Sequence, residues 1–155
     1  MRRILMIGAA AFLAVAATAC GDGDEAGGGG GGGGGGTTVD VALQEFAVIP
    51  AQDSASAGTI TFRVENTGPE DVHEFVVIKT DLAPDALPTD EKGVVDEAGE
   101  GIEVIDEIED IPVGETQSVT VELEAGSYAL ICNIFEEEEQ EAHYTMGMRT
   151  AFTVG

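Results

Sequence analysis

Thr59-Ile60-Thr61-Phe62-Arg63-Val64-Glu65-Asn66-Thr67-Gly68-Pro69 carries a strand pattern and its stop in eleven residues. Ile60, Phe62 and Val64 alternate with Thr61, Arg63 and Glu65, the period-two pattern of a strand with one buried face. Asn66-Thr67-Gly68-Pro69 then supplies turn chemistry and stops the strand. The same signal recurs on both sides of it. Val39, Val41 and Leu43 alternate on the N-terminal side. On the C-terminal side His73 to Lys79 is a denser strand, with His73, Phe75 and Val77 on one face. Val119, Val121 and Leu123 follow, and Ala125-Gly126 turns the chain into Tyr128, Leu130 and Cys132, which share a face. Phe152 and Val154 lie on a last strand. Short strands with such punctuation predict an all-β chain folded as an antiparallel β-sandwich.

Thr80 to Pro112 fits this pattern poorly. Pro84 and Pro88 break it, acidic residues crowd Glu91 to Glu115, and the apolar positions keep no period. It reads as a long acidic surface excursion with one short helix and one edge strand.

The chain has 155 residues, with 6 Lys and Arg against 30 Asp and Glu, a net charge of −24. Such acidity excludes a nucleic-acid binder that neutralises phosphates and a polybasic membrane-surface protein. It suits cationic partners instead. Arg2 and Arg3 precede an apolar run from Ile4 to Ala17, too short to span a bilayer and shaped like a secretory signal. The run ends Ala17-Thr18-Ala19-Cys20, which resembles a bacterial lipobox, with Ala17 where Leu is usual. Residues 1–19 are therefore expected to be cleaved and Cys20 lipidated. Residues 20–36, which include ten consecutive glycines at 27–36, read as a disordered tether. The domain proper is 37–155. Loss of the two signal-peptide arginines takes the charge from −24 to −26.

In that domain the soft and imidazole ligands are few: His73, Cys132, His143, Met146 and Met148. Once Cys20 is lipidated, Cys132 is the one free thiol of an exported protein, where disulfides are the rule. Two His, one Cys and a weak Met are the donors of a type 1 copper site. Cu(I) and Cu(II) both accept thiolate and imidazole, and a constrained set that changes little between them makes electron exchange fast.

Cys132 followed by His143-Tyr144-Thr145-Met146-Gly147-Met148 resembles the C-terminal copper loop of the cupredoxins, of the pseudoazurin and plastocyanin type. Thr59 to Phe62, Asn66-Thr67-Gly68 and then His73-Glu74-Phe75-Val76-Val77 look like the segment that supplies the family's first His. The resemblance implies a Greek-key cupredoxin sandwich holding one copper ion for electron transfer. By position it implies His73 and His143 as imidazole ligands, Cys132 as the thiolate and Met148 as the axial thioether. Met146 matches the family's non-ligating Met and is expected to pack beside the site. With the acidity and the lipobox, the expectation is a redox partner with a cationic docking face, a monomer, and a place on the outer, extracytoplasmic or periplasmic, side of the membrane through the lipid anchor.

Two departures stand out. Ten residues, 133–142, separate Cys132 from His143, where the family has only a few, and five of them are Glu: Glu136, Glu137, Glu138, Glu139 and Glu141. Such an insertion can bulge outward while its ends still meet, since doubling a loop costs about 0.6 kcal/mol in closure entropy. Second, Glu74 stands where many of the family carry Asn, and can tie the ligand loops together only through a different hydrogen-bond pattern. Two other readings fit the same residues: a copper protein for acquisition or delivery, and a cupredoxin-fold module whose site has decayed. No Ser-His-Asp, CxxC or phosphate-loop pattern is present. A closed ligand set leaves no position for a substrate, so the sequence points away from an enzyme.

Overall fold

Alternating apolar residues become the strands β1 (Thr37–Gln44), β2 (Ala47–Pro50), β3 (Ser54–Ala55) and β4 (Gly58–Asn66). They continue as β5 (His73–Lys79), β6 (Glu103–Ile111), β7 (Thr116–Leu123) and β8 (Gly126–Ile131). The chain ends with β9 (Phe135–Glu136), β10 (Glu141–Ala142), the four-residue helix α1 (His143–Met146) and β11 (Arg149–Val154). The computed structural model describes residues 36–155. The signal at 1–19, Cys20 and, apart from Gly36, the tether at 20–36 lie outside the described residues.

Two sheets pack face to face. One has the order β2-β1-β4-β7 and the other β3-β11-β8-β5-β6. The expected sandwich is present, and most pairings are antiparallel. Two are parallel, β1 with β4 and β11 with β3, so both sheets are mixed. Val39, Val41, Leu43, Ile60, Phe62, Val64, Val119, Val121 and Leu123 fill the space between the sheets from one side. Phe75, Val77, Leu130, Cys132, Met148, Phe152 and Val154 fill it from the other. Phe62 sits at the centre, its ring 5.4 Å from both Phe75 and Phe152.

The excursion differs from expectation in two ways. It forms no helix: residues 80–102 are turns around one isolated bridge between Thr89 and Val95. Pro84 and Pro88 remove the backbone donors a helix there would need. Nor is the segment a mere surface feature. Leu87 and Val95 pack, with Ile102, over the outer face of the second sheet, against Val76, Ile78, Ala129, Ile131 and Tyr144. β5 is thus buried on both faces, which is why Phe75-Val76-Val77-Ile78 is continuously apolar. The expected edge strand is β6, paired with β5.

Candidate metal centre

His73 is the first residue of β5, and Cys132 follows the last residue of β8. β5 and β8 are neighbours in register, with Val76 opposite Ile131, so two residues distant in sequence arrive at the same end of the sandwich. A register shift between His73 and Phe75 in the pairing with β6 marks an irregularity beside His73, a common device for aiming a side chain.

His143 comes from α1, and the long insertion before it is closed at its base. The His143 N–H donates to the Ile134 carbonyl at 2.9 Å, and β9 pairs with β10 through Glu136–Glu141 and Phe135–Ala142. The ten-residue insertion is thus a small hairpin whose ends meet. One level below, the Cys132 N–H donates to the Met148 carbonyl at 3.0 Å, and the Met148 N–H donates to the His143 carbonyl at 3.0 Å. Gly147 makes this return possible. Its φ is +134°, and a Cβ there would lie 2.9 Å from the Phe46 carbonyl oxygen.

These elements bring three donor atoms together in a fully buried pocket. His73 Nδ1 lies 3.3 Å from His143 Nδ1, and Cys132 Sγ lies 3.5 Å from His143 Nδ1 and 4.0 Å from His73 Nδ1. A metal ion about 2.0–2.3 Å from each of three trigonal donors separates them by about 3.5–3.8 Å. The spacing therefore fits a metal ion. Burial pushes the Cys132 thiol up to about 12, so a metal binding there must displace its proton. Burial also holds both imidazoles below their usual range, reinforced at His73 by His143 and opposed at each by nearby carboxylates. Neutral imidazole is the form that ligates metal.

Met148 is fully buried beside this cluster, joined by backbone bonds to both Cys132 and His143. Met146, unlike Met148, is 46% exposed. Cys20 lies outside the described residues.

Glu74 does link the ligand segments, and in its own way. Its N–H donates to Cys132 Sγ at 3.3 Å, and its carboxylate Oε1 accepts the Asn133 N–H at 3.3 Å. Burial, with Glu97 nearby, pushes this carboxyl up to about 7.

The outer edges of the two imidazoles carry residues that the sequence reading missed. Glu45 Oε1 lies 3.7 Å from His73 Nε2. Asp71 Oδ2 and Glu136 Oε1 lie 4.0 and 3.9 Å from His143 Nε2. Nothing in the sequence separates Glu45 or Asp71 from the other carboxylates. Phe46 closes the site from the side, its ring edge-on to His143 with centroids 5.3 Å apart.

The described residues thus form a β-sandwich with a buried His-Cys-His cluster at one end. No protein-family model matches the chain, and no curated protein does. Solved structures do. Dithionite-reduced auracyanin from Roseiflexus castenholzii aligns with a TM-score of 0.54 at 23% identity, over 79% of this chain and 99% of that one. Auracyanin B aligns at 0.51 and 20% identity, over 77% and 88%. A structure of the copper protein rusticyanin aligns at 0.50 and 20% identity, over 78% and 80%. The chain has the cupredoxin fold.

Proposed function

We propose that this protein is a type 1 copper protein that carries single electrons between redox partners outside the cytoplasm. One observation carries the reading: two imidazole Nδ1 atoms and one thiol converge at metal-ligand spacing in a buried pocket, with Met148 buried beside them. His73, Cys132 and His143 would hold the ion, with Met148 as the weak axial donor. Copper supplies a one-electron couple. The protein holds the donors in place and excludes water.

The braced insertion favours electron carriage over copper delivery. A hairpin closed by β9–β10 pairing and by the His143–Ile134 bond resists the loop opening that metal release needs. Cys20, as a lipid anchor, would tether the domain to the outer face of the membrane as a monomer. The partner would dock through a cationic face. Each of the four basic side chains of the described domain already has a partner: Arg63 with Asp40, Lys79 with Glu124, Lys92 with Glu137 and Arg149 with the Tyr144 carbonyl. The remaining surface charge is strongly negative, which steers cationic partners.

Copper titration of the purified protein tests the reading. An intense thiolate-to-Cu(II) band that bleaches reversibly on reduction is expected, and Cys132→Ser should abolish it. Tight Cu(I) binding without that band would point to delivery. No binding would leave a fold without its metal. Membrane fractionation of wild type and Cys20→Ser tests the anchor, and equal release of both would refute it.

A further inference from the structure

Glu45 occupies an unusual position for a carboxylate. It stands in the turn between β1 and β2, and its side chain is only 11% exposed. Oε1 accepts the Asp71 N–H at 2.6 Å and the Glu70 N–H at 3.1 Å, which fixes the carboxylate against the 66–71 turn. Gly68 leaves the room: a Cβ there would lie 2.6 Å from Oε1 and 2.8 Å from Oε2. Asn66 completes the cradle. Its Oδ1 accepts the Gly68 N–H at 2.9 Å, and its Nδ2 donates to the Asp71 and Ile111 carbonyls, each at 2.8 Å.

Within this cradle, two buried polar atoms lack a hydrogen-bond partner: Glu45 Oε2 and His73 Nε2. Buried polar groups are rarely left unpaired. The carboxylate can only accept, and the imidazole nitrogen, if protonated, can only donate. At 3.7 Å the Oε1–Nε2 pair is an ion-pair contact, and a shift of about 0.7 Å makes it a hydrogen bond.

We propose that Glu45 is a positioning residue for the metal centre: it takes the proton of His73 Nε2 as a hydrogen bond and thereby leaves His73 Nδ1 bare toward Cys132 and His143. The tautomer decides whether the site can bind. With the proton on Nδ1, His73 would aim an N–H at the place where the ion must sit. With it on Nε2, the lone pair points inward. His143 Nε2, also buried and unpartnered, faces Asp71 and Glu136 and is set in the same sense. A carboxylate behind a ligating imidazole typically accounts for 10–100-fold in metal affinity. The inference rests on the copper reading for its affinity arm only.

Two measurements on the full protein test it. Nitrogen-15 NMR at neutral pH, on metal-free and Cu(I)-loaded protein, should show His73 as the Nε2–H tautomer with a slowly exchanging proton. Glu45→Gln, which keeps an acceptor but loses the charge, should weaken Cu(I) affinity about tenfold, and Glu45→Ala about 100-fold. Gly68→Ala should mimic them by displacing the carboxylate while Glu45 itself remains. Melting of the metal-free variants identifies any that fail to fold. A wild-type Nδ1–H tautomer overturns the proposal. So does unchanged affinity with unchanged Nε2–H exchange in folded Glu45→Gln and Gly68→Ala. If the wild type binds no copper yet shows the Nε2–H tautomer, lost in Glu45→Ala, the positioning role stands and the copper reading falls.

Discussion

Asn133, the residue after Cys132, grips Val95 with both ends of its side-chain amide. Its Oδ1 accepts the Val95 N–H at 2.7 Å, and its Nδ2 donates to the Val95 carbonyl at 3.1 Å. Tyr144, the residue after His143, does the equivalent: its hydroxyl donates to the Pro84 carbonyl at 2.8 Å and accepts the Leu87 N–H at 3.1 Å. The acidic excursion is thus fastened at two points to the segments that carry the candidate ligands. It roofs the second sheet and braces the His73-Cys132-His143 cluster from behind.

Removing the first fastening should loosen both. Asn133→Ala leaves the Val95 N–H and carbonyl unpaired in a half-buried place, at a cost of about 1–3 kcal/mol. Thermal unfolding should show a melting temperature lower by about 5–10 °C. An unchanged melt would mean that water replaces both bonds without loss.

Tyr144→Phe keeps the ring in its apolar contacts with Val76, Ile78 and Ile131 and removes only the hydroxyl. A loss of about 1–2 kcal/mol is expected. Proteolysis should then cut preferentially within 80–102. Combined with Asn133→Ala, the losses should not add, because both changes free the same segment. Strict additivity would show two independent contacts.

How far the sequence reveals this arrangement depends on where the apolar residues lie. Strands with one buried face, such as β4, β7 and β11, display their alternation openly. β5 shows only a dense apolar run, and its meaning emerges from Leu87 and Val95 on its outer side. Those two residues belong to turns, where no period announces them. The β9–β10 hairpin hides for the opposite reason: four of its six residues from Phe135 to Gln140 are Glu, and Phe135 and Ala142 alone carry the apolar signal. His73, Cys132 and His143 are legible because such donors are scarce in the chain. Glu45 and Asp71 are not, being two carboxylates among 30 acidic residues. The parallel pairing of β1 with β4 depends on which edge the chain reaches after β3, which side-chain pattern does not encode.

The two methionines should behave differently. Met148 is fully buried and bonded through its backbone to both ligand segments, whereas Met146 is exposed. Met148→Leu is nearly volume-conserving and should cost less than about 1.5 kcal/mol. It should retain copper and shift the reduction potential, since the axial bond is long and weak. Met146→Leu should also retain copper but leave the potential unchanged. Voltammetry that found the larger shift for Met146→Leu would move the axial role to that residue.

The hairpin's carboxylates should act on the potential unequally, and Glu136 most. Its Oε1 lies 3.9 Å beyond the outer nitrogen of His143, and its side chain is partly shielded from solvent. Glu137 is held by Lys92 at 2.7 Å, so its charge is largely offset at a distance. Glu138 and Glu139 are exposed at the hairpin turn, where water screens them. A unit charge about 8 Å from the metal, at an effective dielectric of about 40, contributes about 1 kcal/mol. For a one-electron couple that is about 40 mV. Negative charge favours Cu(II) over Cu(I), so neutralising it raises the potential. Glu136→Gln should therefore raise the potential by about 40 mV at low ionic strength, and Glu138→Gln with Glu139→Gln by less than half of that. Added salt should shrink the second shift more than the first, because exposed charges are screened more than shielded ones. Voltammetry of the variants at two ionic strengths checks both parts. Equal shifts per charge would mean that the hairpin acts as a diffuse acidic surface, with no particular role for the carboxylate behind His143.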